Sequence, residues 1–326
     1  MRSAHRLSSP LISACKHALQ VNLGLENNET VLIVTDAEKR QIGEAFKEAA
    51  LKITSKIDFL EIPIPKFNGD EPPDYAAEKM LSADVILMPL AKSLSWTRAR
   101  REATQTGARI GSMPQITEDI ILRTFPIDYE SIKRRVNKID DLFDAADQVK
   151  ITTRSGTNFE FSVSRRKGRG RNGGIYRSKS AWGNLPCGEA FIAPVEGSAN
   201  GVYLVDASQA GVGEICVPIK VTVENGFAVN IEGGSEATNL SRMLTAVDDP
   251  NAFNIAEFGI GCNDKAKIIG ITLEDEKVLG TCHIALGRNL FFGGTVDVGV
   301  HVDGVIKSPT IYFDNQNIME EGKLII

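Results

Sequence analysis

Near residue 147 the spacing of apolar residues changes period, and this restricts the chain to a two-part architecture more firmly than any single motif. Before that point, continuous apolar runs alternate with stretches of helical spacing, the mark of a wound, mostly parallel sheet with helices on its faces. Val31–Thr35, Ile57–Ile62, Asp84–Pro89 and Ala108–Gly111 read as strands, and the first is the β-branched run expected of a strand buried on both faces. Helices are expected over 38–54, 75–82, 93–107 and 128–147, the last with Ile132, Val136, Ile139, Leu142 and Phe143 inward. After residue 147 short period-two strands follow, among them Phe159–Val163, Val217–Val223 and Thr310–Asp314, interrupted by one helix near 235–248. The expected architecture is therefore an α/β domain over 1–146 and a mainly β (α+β) domain over 147–326. At 326 residues, two cores are also what chain length favours.

Charge and composition remove several classes of function. Lys plus Arg number 37 and Asp plus Glu 42, a net charge of −5, so the chain has no electrostatic reason to seek nucleic acid. No apolar run approaches the ~18 residues of a bilayer span. Arg2 and Arg6 precede Leu11-Ile12, but Lys16 and His17 break the apolar patch, which predicts an amphipathic first helix and no export. Five cysteines without a C-x-x-C pair fit reduced thiols and a cytoplasmic protein. No Walker loop or G-x-G-x-x-G follows the first strand, and Thr35–Glu38 reads as an ordinary helix N-cap.

The chemistry-bearing residues lie in the second half. His301 and Asp303 form an H-x-D pair, and alternation along a strand puts both on one face, ~7 Å apart. Imidazole nitrogen with carboxylate oxygen suits zinc, manganese, cobalt or iron. His283 stands between small and apolar residues, and Glu257 enters the apolar stretch Ile255–Gly261 beside two glycines. A carboxylate there is costly unless it is paired or bound to a cation. Glu189 follows a Pro/Gly turn in the same manner, with Cys187 two residues earlier as a conceivable soft ligand. Three carboxylates and two imidazoles suffice for two divalent ions and an activated water, the arrangement that serves amide hydrolysis most directly. Glu257 and Glu189 are then the candidates for the bridging, catalytic carboxylate. The run Glu274-Asp275-Glu276 reads as solvated, or with one member serving as a general base or orienting a ligand histidine, and Ser164–Gly174, rich in arginine and glycine, reads as a mobile surface loop. That loop is either a hairpin tip or a basic flap over an anionic or carboxylate-bearing substrate.

Four of these stretches, Asn184–Pro194, Ala256–Gly261, Glu274–Gly287 and His301–Asp303, resemble the aminopeptidase T family of metallo-aminopeptidases in order and spacing. The resemblance implies an α/β domain followed by a metal-bearing domain, and a homodimer enclosing the site. It implies Glu189, Glu257, His283, His301 and Asp303 as ligands of one or two divalent ions (zinc, cobalt or manganese), and cleavage of small peptides or small-molecule amides. The family's tyrosine seven residues after the first ligand histidine is Leu290 here, followed by Phe291 and Phe292. The chain is similar, more distantly, to the 2,5-dihydroxypyridine ring-cleaving dioxygenases, whose single iron(II) two histidines and an aspartate would hold. His301 and Asp303 match that H-x-D, but the other histidine corresponds to Glu257, which favours the peptidase-like ligand set. A triad of His283, His301 and Asp303 is the iron-binding alternative, and a non-catalytic metal-binding relative is the third reading.

Overall fold

The apolar runs of the N-terminal half form strands buried on both faces, except for the half-buried edge strand Ile57–Glu61. In the computed structural model, which describes residues 7–326, Val31–Thr35, Ile57–Glu61, Val85–Leu90 and Arg109–Pro114 build a parallel sheet. Trp182–Asn184 adds a fifth strand beside Arg109–Pro114, giving the order 57–61, 31–35, 85–90, 109–114, 182–184. Helices Arg40–Ala50, Asp74–Met80 and Arg98–Gln105 alternate with the first four strands. The first helix, Ser9–His17, is capped by the Ser8 hydroxyl and continues as a π-helical turn over Ala18–Asn22. The basic positions Arg2 and Arg6 lie outside the described residues. Among the described residues no helix is long and apolar enough to cross a membrane. Asp36, expected at a helix cap, receives the amides of Glu38 and Lys39 on one oxygen and that of Ala91 on the other, and the helix itself begins at Arg40.

The mainly β half holds two antiparallel sheets, one of eight strands and one of six. Phe258 of the six-stranded sheet packs on Phe161 of the larger sheet at 5.2 Å between ring centroids. Phe143, from helix Tyr129–Ala145, packs on Phe258 and stacks on Phe313. Such aromatic pairs bury large areas and fix relative orientation.

The compact units do not follow one cut at 146/147. One comprises the chain up to Glu130 with Gly174–Cys187, and the other Ser131–Gly173 with Gly188–Ile326. The reason is packing. Phe143 ties the long helix to β-strands that follow it, while Trp182–Asn184 returns to complete the parallel sheet.

Two further expectations are corrected. Glu274, Asp275 and Glu276 are buried, not solvated, because each carboxylate has work inside: Glu274 accepts the Lys267 amide, Asp275 accepts the Ile269 amide, and Glu276 meets the Lys277 ammonium. Ser164–Gly174 is not a free loop. Gly168 donates its amide to Asp144 at 2.9 Å, Arg169 donates its amide to the Phe191 carbonyl at 2.9 Å, and Arg171 pairs with Asp141 and Asp144. A side chain at Gly168 would collide with Asp140, and one at Gly170 with the backbone of Glu189, so the glycines serve close packing rather than mobility.

Candidate metal centre

Cross-strand register explains how residues from four separated segments come to one place. The strands Glu189–Ile192, Ile255–Gly261, Thr281–Gly287 and His301–Lys307 are neighbours in the six-stranded sheet. Residues directly opposite in an antiparallel pair point to the same face. Gly261 faces Glu189, Glu257 faces Ala285, which faces Asp303, His283 lies between Gly259 and Val305, and Gly287 faces His301. All five donors thus project from one face, while Phe258 and Ile260 project from the other into the core. A bulge between Ile255 and Glu257 shifts the register by one residue and brings Glu257 into phase with the rest. Beside the donors, that face carries the small residues Gly259, Gly261, Ala285 and Gly287, with Phe191 and Val305 at its flanks. A Cβ on Gly259 would overlap the His283 ring, so glycine there makes the space for the imidazole.

The polar atoms converge closely. His301 Nε2 is 3.1 Å from Glu257 Oε2 and 3.4 Å from Asp303 Oδ1. His283 Nε2 is 3.5 Å from Glu257 Oε1 and 3.6 Å from Glu189 Oε2. His301 Nδ1 lies 2.7 Å from the Arg288 carbonyl, which fixes the proton on Nδ1 and frees Nε2. Phe292 stacks on the same ring at 4.8 Å, and Gln209 donates to the backbone carbonyl of Asp303. Leu290, at the position of the family tyrosine, is exposed on the turn that carries Phe292. Cys187 belongs to neither of the donor groupings found among the described residues.

Sequence reasoning missed Lys277. Its side chain is fully buried, with the ammonium 2.9 Å from Glu189 Oε1 and against Glu276 Oε1. Lysine is almost never buried unless paired, and the only hint in the sequence was its place directly after the acidic run.

Electrostatics follow from this crowding. Burial alone would raise the Glu257 carboxyl, but hydrogen bonds from His283 and His301 hold it below the usual range. Burial opposes ionisation of Asp303 too, yet the charge of His301 brings it to about 2. Burial would lower the His283 imidazole, and its hydrogen bond to Glu257 with the charges of Glu189 and Asp303 instead raises it to about 9. Burial pushes the Glu276 carboxyl up, against Lys277, to about 8, with Glu189 and Asp303 adding to the rise.

The donors fit a divalent cation. Ligand atoms ~2.1 Å from one tetrahedral ion stand about 3.4 Å apart, and the separations above run from 3.1 to 3.6 Å. The longer ones are at or beyond the outer limit of a hydrogen bond. Glu189 Oε2 is buried without a hydrogen-bond partner, as is His283 Nδ1. Two overlapping donor groupings emerge, Glu257–His283–Asp303 and Glu189–Glu276–His283, and Glu276 was not anticipated.

Comparison with known proteins bears on this centre. A curated 2,5-dihydroxypyridine 5,6-dioxygenase from Pseudomonas putida is 22% identical over 347 aligned positions, covering 98% of this chain and 97% of that protein. The solved structure of 2,5-dihydroxypyridine dioxygenase from Pseudomonas putida KT2440 matches with a TM-score of 0.84 at 20% identity, covering 98% of both chains. Wild-type AmpT from Thermus thermophilus matches with a TM-score of 0.73 at 20% identity, covering 97% of this chain and 99% of that one. The two structures show a shared fold. The expected ranking, aminopeptidase T first and the dioxygenase more distant, is not upheld, because the curated relative and the family model both carry the dioxygenase's description. That model, NicX: 2,5-dihydroxypyridine 5,6-dioxygenase, matches residues 10–326, and the chain belongs to this family.

Proposed function

We propose that the chain is a mononuclear iron(II) enzyme that cleaves a dihydroxypyridine-like ring with dioxygen. The observation that carries the single-ion reading is Lys277. Its ammonium already neutralises the Glu189 and Glu276 side of the cluster, and a dication placed there would meet that charge in a low-dielectric interior. Glu257, His283, His301 and Asp303 are left to hold one ion, and two carboxylates balance its charge. When bound, iron(II) supplies the site at which dioxygen and the ring are brought together and activated. The chain's own residues do the rest. Arg288, through its carbonyl, and Phe292, through stacking, fix the plane of His301. Glu189 is held by Lys277 on one oxygen and keeps the other free of hydrogen bonds, which suits it to take the proton of a substrate hydroxyl.

The second reading is two-metal amide hydrolysis with zinc, cobalt or manganese, favoured by the Glu189–Glu276–His283 grouping. It requires Lys277 to give way. One experiment separates the two. Protein reconstituted with iron(II) is expected to consume oxygen with a dihydroxypyridine, while zinc, cobalt and manganese forms release nothing from aminoacyl amides. Metal-supported hydrolysis without oxygen uptake would reverse the order. Metal binding without either activity would leave the non-catalytic reading.

A further inference from the structure

The basic segment Ser164–Gly174 contributes no donor to the metal centre, and its geometry is specific. Ser164, Arg165, Arg166, Lys167, Arg169, Val195 and Gly293 line a groove of about 340 Å³, within the range of small-molecule sites. Two of its four cations are committed. Arg166 pairs with Glu196 and donates to the Gly293 carbonyl, and Lys167 lies 3.6 Å from Asp144. Arg165 and Arg169 have no acidic partner among the described residues, although both stand next to other cations. Arg165 is held at φ 61°, a left-handed conformation that few non-glycine residues adopt. The Arg169 guanidinium lies over Gly293, where an added Cβ would stand 2.9 Å from Nη2.

The groove is tied to the metal centre by short covalent and packing steps. Arg169 donates its amide to Phe191, two residues from Glu189 on the same strand. Gly293 follows Phe292, whose ring stacks on His301 and meets Phe191 edge-on at 5.7 Å. The Phe191–Phe292 pair therefore lies against both His301 and the segment that carries Arg169. Guanidinium forks match a carboxylate bidentately, and crowded like charges are relieved when one binds.

We infer that Arg165 and Arg169 form a carboxylate-binding subsite, so that the substrate is an aromatic acid whose ring rests toward Phe292 while its carboxylate enters the groove. This deepens the reading of the centre and rests on it for the word substrate. The binding itself does not.

Calorimetry on metal-free and iron-loaded protein, using pyridine-3-carboxylate and its neutral isostere pyridine-3-carboxamide, tests the inference. The carboxylate is expected to bind at least tenfold more tightly in both forms. R169Q should abolish that preference, R165Q should reduce it, and R169K should keep part of it. All three should retain wild-type metal content and circular dichroism, since both side chains are exposed and neither has an acidic partner among the described residues. Equal affinity for acid and amide in the wild type, or full preference in R169Q, would overturn the subsite. Failure of oxygen uptake with every dihydroxypyridine would instead count against the centre's chemistry, while the acid preference of metal-free protein remained readable.

Discussion

At the scale of single residues, the single-ion reading rests on Lys277, whose ammonium sits between Glu189 and Glu276. Removing one partner of a buried ionic group strands the others, at a cost of ~3–5 kcal/mol. Lys277→Met is therefore expected to lower stability by about that amount, and to raise zinc stoichiometry from one toward two as the second ion takes the vacated position. Elemental analysis and denaturant melts read both, and two ions per chain in the wild type would contradict the single-ion assignment. His301→Ala and Asp303→Ala should each abolish metal binding while leaving circular dichroism nearly unchanged, because Val302 and Val305, which remain, pack the strand. Retention of full metal content would remove these residues from the ligand set. The raised His283 imidazole, near 9 in the metal-free protein, carries a proton at pH 7 that a metal must displace. Metal affinity should thus rise with pH up to about 9. Calorimetry in buffers of different ionisation enthalpy should show proton release, and pH-independent affinity would sink the assignment.

Among the elements, helix Tyr129–Ala145 and the segment Ser164–Gly174 act as a pair. Asp140 is buried between them, and neither of its carboxylate oxygens has a hydrogen-bond partner in good geometry. Burial pushes its carboxyl up to about 7, with Arg171 opposing and Asp144 adding to the rise. The native state therefore binds this proton more readily than the unfolded chain does. Between about pH 4 and 7 stability falls as pH rises, and the loss is complete above 7. Asp140→Asn should melt several degrees higher than the wild type at pH 8 and equally at pH 4. Scanning calorimetry at the two pH values decides the matter, and an unchanged or larger gap at pH 4 would contradict it.

For the molecule as a whole, the chain crosses between its two compact units three times, after Glu130, Gly173 and Cys187. A fragment cut at residue 146 keeps four strands of the parallel sheet and loses Trp182–Asn184, which exposes the Arg109–Pro114 edge. Exposed apolar edges invite association. The fragment is expected to elute as aggregate in gel filtration, and a monomeric fragment with native-like circular dichroism would show that the fifth strand is dispensable.

How much of this was legible beforehand follows from the range of the interactions involved. Alternation along a strand is local, so the shared face of His301 and Asp303, and the opposite facing of Glu257 and Phe258, could be read from spacing alone. The apolar runs likewise declared the buried parallel strands. Segment-scale similarity pointed to the five residues that the sheet brings to one face, while the order in which it ranked the two families is not confirmed by the family match. The tertiary structure alone decided what depends on partners distant in sequence. Lys277 is buried because Glu189, 88 residues earlier, faces it, and the acidic run is internal because its carboxylates accept amides folded back upon them. The basic segment is tied down because a helix more than twenty residues away supplies Asp144. No local pattern encodes a charge's counterpart when only folding brings the two together.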